Sequence, residues 1–213
     1  MTFAGGDSRV TPPGTTRGRS RIPSAGRLGF LDADAGARLT ELGWHNEDSV
    51  ELLWSLSRSP DADAALKTLI RLQAELGDDW AELDQLLRER TCLRGRLFAV
   101  IGASTALGDH LVAEPSTWRL LNCNELPTPE EMRAELLAAV GAVPEPGQSE
   151  HGDLVYRAAV TGPQAPLRLK LAYRNLLLQL AARDVASTVE DEPVLPFVAV
   201  CEYLSDLADA ALT

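Results

Sequence analysis

From Leu31 onward, apolar residues recur at three- and four-residue spacing, the period of an amphipathic helix. The stretch 31-LDADAGARLTELGW-44 predicts a helix with Asp32 or Asp34 as N-cap, Leu39 and Leu42 inward and Gly43 as stop. A second helix is expected in 46–60, with Val50, Leu53, Trp54 and Leu56 inward. Pro60-Asp61-Ala62-Asp63 opens a third, carrying Leu66, Leu69, Ile70 and Leu72 before Gly77. Asp78-Asp79 is expected to cap a fourth, with Trp80, Leu83, Leu86 and Leu87 inward. Residues 92–121 predict two or three helical pieces broken near Gly102 and Pro115. Thr128-Pro129-Glu130-Glu131 starts a capped helix through Met132, Leu136, Leu137 and Val140. Residues 141–153 predict an exposed Pro- and Gly-rich loop, followed by a short helix near Leu154–Val160. The last two helices span 167–185 and Phe197–Ala211. The final apolar pattern is still running at Thr213, as expected either of a helix cut from a longer chain or of a natural C-terminus. No strand-like alternation exceeds four residues, so the expected class is all-α, an irregular multi-helix array.

One residue breaks the pattern of the long helix. Leu167, Leu171, Leu178, Ala181 and Val185 form one stripe, and Arg174 lies inside it. Either a carboxylate from another element meets the guanidinium, with 190-EDE-192, Asp206 and Asp209 as candidates, or its stem lies on the stripe while its head reaches water. Arg168, Asn175, Gln179 and Arg183 are expected on the wet face.

Charge and composition then narrow the function classes. Five arginines against Asp7 make residues 1–31 basic, whereas the remaining 182 residues carry 15 basic and 30 acidic side chains. Such a body repels phosphate backbones, so no nucleic-acid partner is expected. No window of 18 apolar residues exists, so no membrane span is expected. Cys92, Cys123 and Cys201 form no metal or disulfide framework, which points to a reducing cytoplasm. Residues 1–23, rich in Gly, Ser, Thr, Pro and Arg, are read as a disordered tail ahead of a helical region at 24–213.

Groups that could carry chemistry are few. Asp32-Ala33-Asp34 and Asp61-Ala62-Asp63 have the spacing of a Mg²⁺-binding carboxylate pair, but each is followed at once by helical period, and capping explains both. His45, His110 and His151 have no metal-ligating partner at i+3 or i+4. Ser104, Asp109 and His110 have the residue types of a triad, but Ser104 is expected inside a helical run, not on a strand-to-helix elbow. Arg88, Arg90, Arg94 and Arg96 form a basic cluster, read as a solvated helix junction rather than an anion site. No catalytic, cofactor-binding or metal-ligating residue is assigned.

The segment 93-LRGRLFAVIGASTALGDHLVAEPSTWRLL-121 resembles the early helical region of the bacterial glutamine synthetase adenylyltransferases, through Ile101, Gly102, Ser104, Leu107, Leu111, Pro115 and Leu121. Residues 167–212 and 53–72 extend the likeness over about 23–213, with Arg174-Asn175 standing where the family has Arg-Asp. The resemblance implies an N-terminal fragment of a bifunctional enzyme that attaches AMP from ATP to a glutamine synthetase tyrosine and removes it by phosphorolysis. It also implies Mg²⁺ and ATP as cofactors, and glutamine synthetase and a nitrogen-signalling protein as partners. The metal-binding carboxylates would lie on a nucleotidyltransferase α/β domain beyond residue 213, leaving this fragment inactive. The alternative is a stand-alone all-helical interaction module without enzymatic activity.

Overall fold

The computed structural model describes residues 22–122, 125–150 and 153–212, with side chains from 146 to 154 outside the description. The expected tail at 1–23 therefore lies outside it, apart from Ile22 and Pro23. Ile22 packs on the main core.

Nine α-helices make up most of the described residues: α1 (Ala35–Glu41), α2 (Val50–Ser57), α3 (Ala62–Leu76), α4 (Trp80–Glu89), α5 (Thr91–Ala103), α6 (Thr105–Ala113), α7 (Pro129–Ala139), α8 (Gln164–Val185) and α9 (Phe197–Leu212). The all-α expectation holds. Local chemistry sets several boundaries. Asp61 accepts from the Ala64 amide at 2.9 Å and starts α3, and a reciprocal Thr128–Glu131 capping box starts α7. Gly43 takes φ +81° just after α1, a conformation that side chains with a Cβ rarely adopt. The Asp78-Asp79 cap is corrected: these residues lie in a 3₁₀ turn, Gly77–Asp79, and Asp79 makes no capping bond before α4.

The centre of the molecule is α5. Leu93 through Ile101 are all buried, so this helix has no wet face; α2, α3, α4, α6 and α8 pack around it. Its glycines permit the closest approaches. A Cβ on Gly102 would lie 2.9 Å from the Ser59 Cβ and 3.2 Å from the Asp61 backbone, so only glycine lets α5 abut the α2–α3 corner. Trp44 stacks on Trp80 with centroids 6.4 Å apart, leans on Phe98, and donates its Nε1–H to Asp84 at 2.6 Å. Trp54, expected inward, is instead exposed, and Leu52 takes the buried position on α2.

A second, smaller core joins α7, α8 and α9 through Met132, Leu136, Ala172, Leu176, Leu180, Tyr203 and Leu207. Helix α8 serves both cores, since Leu178 and Ala182 belong to the first. The loop expected at 141–153 and the helix expected near Leu154–Val160 are both corrected, since each gives way to a strand. β1 (Val143–Glu150) and β2 (Asp153–Arg157) form an antiparallel ribbon, with Val143 opposite Arg157, Ser149 opposite Leu154, and an irregularity between Pro144 and Ser149. Prolines are tolerated there because each strand of a two-stranded ribbon is an edge.

Candidate functional site

Most of the described groups with chemical potential have a structural partner. Asp32 accepts from the Asp34 amide at 3.0 Å and pairs with Arg38 at 2.6 Å and Lys67 at 3.1 Å. The Asp34 amide first, then Arg38 and Lys67, hold its carboxyl well below the usual carboxylate range. Asp63 accepts from the amides of Leu31 and Asp32 at 2.9 and 3.1 Å, tying the start of α1 to α3. Asp32, Asp61 and Asp63 thus hold backbone turns, whereas Asp34, at the N-cap position of α1, makes no side-chain capping bond. Ser104, expected inside a helical run, stands between α5 and α6 and caps α6 through the Leu107 amide at 3.3 Å. Asp109 pairs with Arg71 at 2.7 Å, and buried His110 bonds through Nε2 to Asn175 at 2.8 Å. The three do not converge on one point. His45 is exposed, and His151 and Cys123 lie outside the described residues.

The main electrostatic feature differs from the solvated helix junction expected of the basic cluster. Arg94 and Arg96 are not solvated: each is about 5% exposed, and they straddle Gly95 on α5. The segment after α8 crosses the helix there. Glu190 meets Arg94 Nε at 2.7 Å, and Glu192 accepts from Arg96 Nε at 2.8 Å and Nη2 at 2.5 Å. A Cβ on Gly95 would lie 2.8 Å from the Glu190 Cβ, so glycine is what lets the crossing segment approach. Ser55 and Arg58 of the α2 end also hold Glu190, and Arg58 donates to the Val189 carbonyl at 2.7 Å. Arg96 further donates to the Leu121 carbonyl at 3.0 Å, and Arg183 of α8 stands 3.7 Å from Glu192. An Arg-Gly-Arg and Glu-Asp-Glu latch thus locks five segments together, and its arginines are buried against their own chain. Of the remaining cluster, Arg88 pairs with Asp84 at 2.9 Å and Arg90 is exposed.

Arg174 is resolved in the same way. It is exposed, so the buried-pair alternative is corrected. Two of its candidate carboxylates, Glu190 and Glu192, are engaged by Arg94 and Arg96. Its stem edges an open apolar groove of about 360 Å³ lined by Val100, Leu107, Leu177, Ala181 and Val185. Asn175 and Gln179, expected in water, are corrected too: Gln179 is buried and Asn175 holds His110.

The terminal helix has two contrasting apolar faces. Tyr203 and Leu207 are buried, with the Tyr203 hydroxyl donating to the Leu176 carbonyl at 3.3 Å. Burial, aided by the Glu135 carboxylate, pushes that phenol up to about 12. The other face is open: Phe197 is 80% exposed, Val198 63% and Leu204 41%, with the free thiol of Cys201 among them.

No protein-family model matches the chain, and no solved structure matches it. The bifunctional glutamine synthetase adenylyltransferase/adenylyl-removing enzyme of Nocardia farcinica is 55% identical over 204 residues, 96% of this chain and 20% of the relative. The protein of the same name from Mycolicibacterium smegmatis is 55% identical over 205 residues, and that of Mycobacterium tuberculosis 50% identical over 199. The chain belongs, as a segment, to this family. It spans about one fifth of the length of these relatives.

The residues that carried the likeness to the adenylyltransferases have structural jobs. Ile101 is buried, Gly102 permits the helix–corner contact, Ser104 caps α6, Leu111 and Leu121 fill the main core, and Pro115 begins a 3₁₀ turn. In this segment the family motif encodes packing. Asn175 is a neutral acceptor for His110 between α6 and α8.

Proposed function

We propose that the chain is the N-terminal helical portion of an enzyme that adenylylates and deadenylylates glutamine synthetase, and that it supports the catalytic domains without supplying reacting groups. One observation carries this reading: a chain matched over 96% of its length to the Nocardia farcinica relative spends its candidate acids, hydroxyl and imidazole on caps, ion pairs and the α6–α8 contact. The donor set does not suit a divalent cation, since among the described residues no three His, Cys, Asp or Glu side chains are grouped to hold one. In this reading Mg²⁺ and ATP belong to polypeptide outside the matched fifth. Glutamine synthetase is the substrate partner, a nitrogen-signalling protein is a further partner, and the setting is cytoplasmic. No described helix is long and apolar enough to cross a membrane.

The test replaces the matched segment of the Nocardia farcinica relative with this chain. The chimera is expected to transfer AMP to glutamine synthetase and to remove it. A folded chimera lacking both activities overturns the proposal and favours the alternative, an interaction module without enzymatic activity, for which the open face of α9 is the supporting feature.

A further inference from the structure

The open face of α9 is a continuous stripe. Phe197, Cys201, Leu204 and Ala208 recur at i, i+4, i+7 and i+11, and Leu212, 87% exposed, extends the row. All five are exposed, on a different arc from Tyr203 and Leu207, which are spent on the second core. Val198 widens the stripe at its start, and a shallow groove of about 470 Å³ opens beside Phe197, Val198 and Cys201, edged by Glu202 and Asp206. Helix α9 carries Glu202, Asp206 and Asp209 and no basic residue. A contiguous apolar stripe rimmed by charge of one sign marks an interaction surface.

We infer that this face is the seat of polypeptide that the longer relatives carry outside the matched segment: an apolar ridge flanked by Arg or Lys side chains that meet Glu202 and Asp206. The inference rests on the reading under Proposed function. Two observations select this occupant. The relatives are about five times the length matched here, so four fifths of their chain has its position still to be taken up against or away from this body. A second copy meeting the face symmetrically, α9 on α9, sets Glu202 and Asp206 against their own counterparts, a like-charge contact. The acidic rim instead suits a cationic partner surface.

Cys201 is a built-in reporter, and exposed Cys92 on α5 is its internal control. Alkylation is followed site by site by mass spectrometry in the 213-residue chain and in the chimera described above. In the short chain both thiols are expected to react freely. In the chimera Cys201 is expected to slow by about tenfold or more while Cys92 is unchanged, because thiol reactivity requires access. Equal Cys201 rates in the two proteins overturn the inference. So does a stable dimer of the short chain with Cys201 protected, which gives the face to a second copy. A second arm needs no chimera. Phe197→Asp with Leu204→Asp is expected to leave the melting temperature of the short chain within about 2 °C, as for exposed positions; a larger drop means the face packs on its own chain, which also overturns the inference. AMP transfer by the chimera reports separately on the parent reading. An active chimera with a reactive Cys201 sinks only the docking face, and an inactive one with Cys201 protected sinks only the assigned activity.

Discussion

Glu192→Ala, in the segment that crosses α5, is expected to be among the most damaging single changes in the molecule. Glu192 and Arg96 have side-chain exposures of 4% and 6%, so water cannot replace the lost carboxylate. The guanidinium loses three contacts of 2.5–3.1 Å to one carboxylate while keeping the Leu121 carbonyl. Removing one partner from such a buried pair costs about 3–5 kcal/mol. For a domain of this size about 1 kcal/mol moves the melting temperature by ~2–4 °C, so a fall of ~6–20 °C is expected. The matched control is Asp109→Ala, which breaks a pair whose side chains are 51% and 54% exposed. That change is worth about 0–1 kcal/mol and a few degrees at most. Thermal unfolding followed by circular dichroism reads both. The double variant Arg96→Met with Glu192→Leu should recover most of the loss, because well-packed apolar replacements of a buried pair are often neutral or stabilising. If Glu192→Ala moves the transition no more than Asp109→Ala does, the latch does not hold the fold.

Other expectations test neighbouring parts of the account. Gly95→Ala drives a methyl into Glu190 at 2.8 Å and should destabilise by about 1–3 kcal/mol, whereas Gly36→Ala in α1, with nothing within 4 Å, should stabilise by about 0.5–1 kcal/mol; paired urea titrations separate the two. Thr128→Ala removes the capping box of α7 and should cost about 1 kcal/mol, read the same way. Absorbance titration should find one tyrosine ionising near pH 12. Because the folded phenol holds its proton more tightly than the unfolded one, its contribution is fully present below pH 10 and is lost as pH rises towards 12. A Tyr203→Phe variant that titrates like the parent contradicts that assignment.

Helices with one wet face were legible from spacing, and the Asp61 and Thr128 starts from residue type. What escaped was long-range. Arg94 and Arg96 look solvent-facing in any local window, because the acids that neutralise them lie 96 residues away. The available signal was Arg-Gly-Arg matched in spacing by Glu-Asp-Glu, with a glycine where two segments must cross. Helix α8 misled for another reason: it borders two cores, so its buried arc is turned from the predicted stripe by about 100°, one residue step. That turn leaves Arg174 outside and draws Asn175 and Gln179 in. The ribbon was missed because prolines mark a loop in sequence but are admissible in paired edges. For the candidate site, the residue types were visible and their structural partners were not.

The central claim is that this segment supports adenylyl chemistry that its own side chains do not perform. The most direct measurement incubates the purified 213-residue chain with glutamine synthetase, Mg²⁺ and ATP labelled on the α-phosphate. No label on the synthetase above the enzyme-free control is expected. Label transferred by the chain alone, and lost on heating it, contradicts the account.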